Sequence, residues 1–104
     1  MFATVRRYEG VDERRMSEIA KRVEQSLMPR LTQMPGFGSY FLIESGEGVV
    51  TSVSVFETSE QAEESTRIAA KWLKDEKFDA AMPNAPKVSA GKVLAGTASA
   101  PVLA

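Results

Sequence analysis

Apolar positions along this chain recur at strand spacing, then at helix spacing, and the two periods alternate. Phe2, Val5 and Tyr8 are strand formers in a run, Met1 to Tyr8, that Gly10 stops. Asp12 then offers a carboxylate to the free N–H groups of a helical first turn. Met16, Ile19, Ala20, Val23 and Leu27 follow at i, i+3, i+4, i+7 and i+11, an apolar stripe on about four turns. Glu18 and Arg22 share the polar face at the acid-first i, i+4 spacing. Pro29 disfavours helical geometry at Met28 and predicts that the helix ends or kinks there.

Met34-Pro35-Gly36 is a turn signal. Strand two runs from Phe37 to Glu44, with Phe37, Phe41 and Ile43 alternating with Tyr40 and Leu42. Ser45 to Gly48 forms a hairpin loop. Strand three, Val49 to Glu57, places Val49, Thr51, Val53 and Val55 on one face and Val50, Ser52, Ser54 and Phe56 on the other. Thr58 and Gln61 have capping-box spacing, so a second helix runs from about Ser59 to about Glu76. Its inner stripe is small: Ala62, Ser65 or Thr66, Ala69, Ala70, then Leu73. Glu63 and Arg67 repeat the acid-first pairing. Phe78 to Met82 reads as a turn and Pro83 to Pro86 as a loop with two fixed φ angles. Lys87 to Leu94 is the fourth strand, with Gly91 marking a bulge. Residues 1–96 make one domain, and Thr97 to Ala104 is a weakly patterned tail.

The order β-α-β-β-α-β predicts an α+β, ferredoxin-like fold: a four-stranded antiparallel sheet with two helices on one face. The helices can cover only that face, yet both faces of strands two and three are apolar or small. A second copy packed sheet against sheet is the simplest cover. A homodimer burying roughly 2,000 Å² or more is therefore expected, closing an α/β barrel.

Composition removes most catalytic machinery. The 104 residues contain no cysteine and no histidine. Disulfides, thiolate nucleophiles, Ser-His-Asp triads and imidazole-bound metals are excluded. Thirteen basic and fourteen acidic residues leave a net charge of −1, without the basic footprint of a nucleic-acid binder. No apolar run approaches the roughly 18 residues of a membrane span. Arg6, Arg7 and Glu9 interrupt any signal-peptide core, so a cytoplasmic protein is expected.

The Pro35-Gly36-Phe37 entry to strand two, the Ser54-Val55-Phe56-Glu57 strand end and the Ala62-Glu63-Glu64-Ser65 helix start resemble the antibiotic-biosynthesis-monooxygenase-like family of dimeric α/β barrels. The resemblance covers roughly Met1 to Ala95. It implies a ligand cavity in each protomer between the helices and the sheet. In some relatives it implies cofactor-free oxygenation of electron-rich aromatics, and in others haem degradation. Trp72-Leu73 with Phe78 is similar to the haem-degrading branch. Here, however, Met82 falls where that branch has its axial His, and Arg6 and Arg7 where it has a strand-one Asn. Both departures tell against haem.

Several residues carry two readings each. Trp72 either closes the helix–sheet core or lies against a ligand. Arg6 and Tyr8 share parity on strand one. With Tyr40 they either rim a pocket, where a guanidinium and a phenol orient a substrate phenolate, or serve as ion-pair and interface filler. Ser52 and Ser54 either donate hydrogen bonds into the cavity or fill a tight strand crossing. Asn84 satisfies a turn. The acids at Asp12-Glu13 and Glu63-Glu64 suit helix N-termini. The expectation is a homodimer that binds an apolar or aromatic small molecule. As an enzyme it would be a cofactor-independent monooxygenase. The rival is a non-catalytic binding or stress-associated barrel.

Overall fold

The alternating periods resolve into four strands and two helices in a computed structural model that describes residues 1–96. The strands are β1 (Phe2–Tyr8), β2 (Phe37–Gly46), β3 (Val49–Phe56) and β4 (Lys87–Lys92). They form one antiparallel sheet in the order β2-β3-β1-β4. This is the expected ferredoxin-like arrangement. The tail read at Thr97 to Ala104 lies outside the described residues.

Helix α1, residues 13–32, is continuous through Pro29, where a stop or kink was expected. It opens as a 3₁₀ turn at Glu13–Arg15, with Asp12 capping the Arg14 N–H. It widens to a π turn at Val23–Leu27 and closes as the α segment Met28–Thr32. The Met28 N–H reaches back to the Val23 carbonyl, and Pro29 enters just afterwards, in the first turn of the closing segment. A proline costs less there, because the widened turn has already interrupted the i, i−4 hydrogen-bond ladder. The buried stripe is Ile19, Val23, Leu27 and Leu31, four apart throughout. Ala20, expected in that stripe, is exposed, because the widened turn keeps residues four apart on one side.

Helix α2 (Ser59–Asp75) begins with the predicted capping box between Thr58 and Gln61. Its buried face is Ala62, Ser65, Ala69 and Trp72, whereas Ala70 is exposed. The ion pairs differ from the expected ones. Glu18 pairs with Arg15, Arg22 crosses to Glu76 at the end of α2, and Arg67 takes Glu64.

In β3 the alternation is as predicted, with Val50, Ser52, Ser54 and Phe56 buried beneath the helices. In β2, a register shift between Phe37 and Ser39 turns Phe37 to the helix side, away from Phe41 and Ile43. There it packs edge-on against Phe56, ring centroids 5.6 Å apart. Gly38 makes the bulge feasible: a Cβ would meet the Val55 carbonyl oxygen at 3.0 Å and Met1 Cε at 2.8 Å. Gly91 marks no bulge, since β1 and β4 pair without a register break. The β2–β3 hairpin closes on Glu47 and Gly48, both at positive φ.

The opposite sheet face carries Val5, Phe41, Ile43, Val53 and Val55 uncovered, with Phe41 59% and Ile43 45% exposed. Thr58→Ala removes the oxygen that caps α2. It should lower unfolding free energy in urea by about 1 kcal/mol without altering the far-ultraviolet circular dichroism of the native protein.

Candidate functional site

Arg6 lies in β1, a central strand, on the helix-covered face, and only 2% of it is exposed. The neighbours on β3 are small: Ser52 stands opposite, and the next inward residue, Ser54, pairs with Thr4. On α2 the facing residues are Ala62, Ser65 and Thr66. This is what the small stripe is for: it leaves room for a long side chain between helix and sheet. The Nη1 group donates to Ser54 Oγ at 3.1 Å, and Nη2 donates to Ser65 Oγ at 3.2 Å and to Thr66 Oγ1. Ser65 and Thr66 each pass a proton on to the Ala62 carbonyl, so their lone pairs remain for the guanidinium.

Every partner of this cation is neutral. Arg6 Nε has no partner at all, the one such buried side-chain atom among the described residues. A buried cation without an acid is costly, and proteins keep such groups chiefly where they serve binding or chemistry. Burial pushes the guanidinium below its ordinary pKa, although arginine stays charged.

Tyr8 and Tyr40 are close enough to feel that charge. Burial raises the Tyr8 phenol, and Arg6 partly offsets the shift. Burial, then the neighbouring Tyr8, pushes the Tyr40 phenol up to about 12 against Arg6 and a hydrogen bond with Ser52. Both phenols are therefore neutral hydrogen-bonding groups at physiological pH, not bases.

A cavity of about 310 Å³ opens beside Arg6 and Tyr8, walled by Thr66, Leu73, Phe78 and the Pro83–Pro86 loop. Asn84 in that loop is tied to the Glu9 carbonyl at 2.9 Å. A second cavity of about 350 Å³ lies between α2 and β4, against Thr4, Ala62, Thr66, Val88 and Ala90. Deeper in, Tyr8, Tyr40, Leu42, Ser52 and Trp72 surround about 20 Å³, room for about one water.

The residues singled out in the sequence thus fall into two groups. Arg6 and Tyr8 border the large cavity and Ser54 holds Arg6, while Tyr40, Ser52 and Trp72 meet at the small gap. Trp72 is 1% exposed, donates from Nε1 to Ser26 Oγ at 2.9 Å, and packs 5.7 Å from Phe78. Sequence reasoning did not single out Ser65 and Thr66 as partners of Arg6. The signal was present, since two hydroxyls interrupt an otherwise alanine-lined helix face.

No family model matches the chain, and no curated protein matches it either. Solved structures do. A monooxygenase from the ActVA-Orf6 gene of Streptomyces coelicolor, in complex with nanaomycin D, superposes at TM-score 0.73 with 13% identity, over 93% of this chain and 90% of that one. An antibiotic biosynthesis monooxygenase gives 0.65 and 12%, over 91% and 100%. A MhuD R26S mutant with two manganese protoporphyrin IX bound per active site gives 0.71 and 17%, over 94% and 99%. The fold is that of the antibiotic-biosynthesis-monooxygenase-like proteins. In this chain that fold holds an acid-free arginine beneath α2.

The Tyr40 shift makes a prediction about alkaline stability. Below pH 10 the phenol is protonated whether the chain is folded or not. Between pH 10 and about 12 the unfolded chain loses that proton while the folded one keeps it, so stability falls. The fall should reach up to about 1.4 kcal/mol per pH unit. Urea titrations at rising pH should show it in the native sequence and show less of it in Tyr40→Phe. A Tyr40 absorbance transition centred at pH 10 would contradict it.

Proposed function

We propose that this protein is a homodimeric α/β barrel that binds an apolar or aromatic small molecule beside Arg6 and oxygenates it without a cofactor. The observation that carries the reading is a buried guanidinium, held only by hydroxyls and with its Nε unpartnered, bordering a cavity with largely apolar walls. A hydroxylated aromatic seated there would place its oxygen near a fixed positive charge. That charge favours the ionised form, which delocalises electrons onto ring carbon. The phenolic proton leaves to solvent, the ring carbanion adds O2, and loss of water from the resulting hydroperoxide leaves a carbonyl on that carbon, so the substrate supplies all the electrons. Tyr8, held neutral on the cavity wall, orients it as a donor. The setting proposed is the cytoplasm; among the described residues no helix is long and apolar enough to cross a membrane.

The uncovered face of Val5, Phe41, Ile43 and Val53 supports the dimer, because sheet-to-sheet packing removes it from water. Haem is not proposed, since no histidine exists to hold its iron.

One observation favours a second reading, a binding module without turnover. The acids bordering the two large cavities are Asp79 and Glu63, both exposed, so no buried carboxylate serves as base.

Sedimentation at micromolar concentration should give a dimer, and Phe41→Glu with Ile43→Glu should give a monomer. Hydroxylated polycyclic aromatics should change the fluorescence of Trp72, the chain's sole tryptophan, and should consume oxygen. Arg6→Met should slow that consumption by about 100-fold or more, the loss of one charged stabilising contact. Fluorescence response without oxygen uptake selects the binding module.

A further inference from the structure

The two large cavities adjoin at Thr66, and we read them together as one groove. Both are bordered by the same flank of α2, and Thr66 stands in the wall of each. From Ser59 to Arg67 that flank borders the first half, and from Thr66 to Lys74 the second. The floor follows the same order along β1, Phe2 and Thr4 under the first half, then Arg6 and Tyr8 under the second. The far wall changes over at the same place, from Ala90 and Val88 of β4 to Pro86 and the loop before it. Along α2 the groove spans about 22 Å at 1.5 Å per residue.

The one buried charge bordering it lies near its midpoint. The guanidinium meets the groove through Thr66, whose hydroxyl it holds and which is only partly buried, whereas Ser54 and Ser65 are sealed away. Other charges are at the exposed rim: Arg67, paired with Glu64, and Glu63 in the first half, Lys74 and Asp79 in the second.

We infer that the ligand is an elongated apolar molecule with a single anionic oxygen group near its middle, seated across both halves with that oxygen at Arg6 beside Thr66. This rests on the small-molecule reading above and adds the ligand's charge and length. A ligand oxygen there gives the fork its first anionic partner, and a charge-assisted bond is stronger than the neutral ones it makes to hydroxyls. The apolar arms on either side cover Ala62, Val88 and Ala90 in one direction and Leu73, Phe78 and Pro86 in the other.

Three fluorescent probes test this by titration. Anthracene-9-carboxylate carries its charge at the centre of a long ring system, 9-anthracenemethanol is its neutral counterpart, and 1-naphthoate lacks one arm. The carboxylate should bind the native protein about 10-fold or more tighter than the alcohol. Arg6→Met should abolish that preference while the alcohol still binds. Ala90 is exposed, so Ala90→Phe can fill the first half without disturbing the core. It should weaken anthracene-9-carboxylate by about 10-fold and leave 1-naphthoate within about 2-fold. Alizarin, whose colour reports its ionisation, extends the test to a ring hydroxyl; the tighter of the two anions identifies which oxygen the site prefers. Equal affinity of the native protein for carboxylate and alcohol overturns the charge assignment. An Ala90→Phe effect equal on both carboxylates, or absent from both, overturns the length. Failure of every probe to bind overturns the small-molecule reading itself.

Discussion

Lodging a permanent cation between a helix and a sheet, with only hydroxyls to hold it, sets the terms for everything around Arg6. The guanidinium needs space, so β3 presents Ser52 and Ser54 where strand propensity would favour valine, and α2 presents alanine and serine where a core would favour leucine. It needs acceptors, so those small residues carry oxygens. It needs protection from bulk water, which the rings of Tyr8, Trp72 and Phe78 and the apolar stripe of α1 provide further along the same layer. Burying such a charge without an acid costs folding free energy, and the apolar core of α1 against the sheet offsets it.

This division explains why the two helices are so unlike. Helix α1 contributes bulk: Ile19, Val23, Leu27 and Leu31 form a continuous aliphatic ridge. Helix α2 contributes proximity and polarity, and Trp72, near its end, is the one bulky side chain among its buried residues. The Arg22–Glu76 pair ties the polar flank of α1 to the residue that ends α2. One half of the sheet-facing layer is therefore a packed core, and the other is a polar cradle beside open space.

Much of this was legible in the sequence, because it depends on local periods. The order of elements, the alternation of β3, the capping box and the shared face of Arg6 and Tyr8 all follow from spacing. What was hidden depends on contacts between distant segments or on small shifts of register. The π turn that carries α1 through Pro29 follows from packing four-residue steps against the sheet, which no dipeptide preference encodes. The inward turn of Phe37 depends on Gly38 approaching the backbone of Val55. The partners of the charged residues were misread because i, i+4 spacing fixes only who is within reach. The cradle of Arg6 was half visible: its sheet side appeared as two serines, but choosing between Ser65 and Thr66 required the helix rotation, and the structure uses both.

The hydroxyl-only cradle has a dynamic consequence. Ser54, Ser65 and Thr66 can each turn a proton about a single C–O bond far more easily than a carboxylate can be moved aside. Such a lining can rearrange its hydrogen bonds when an occupant arrives or leaves while its heavy atoms stay still. Vacant and filled forms could then share one backbone, and the cost of switching between them would be a matter of rotors rather than of hinges.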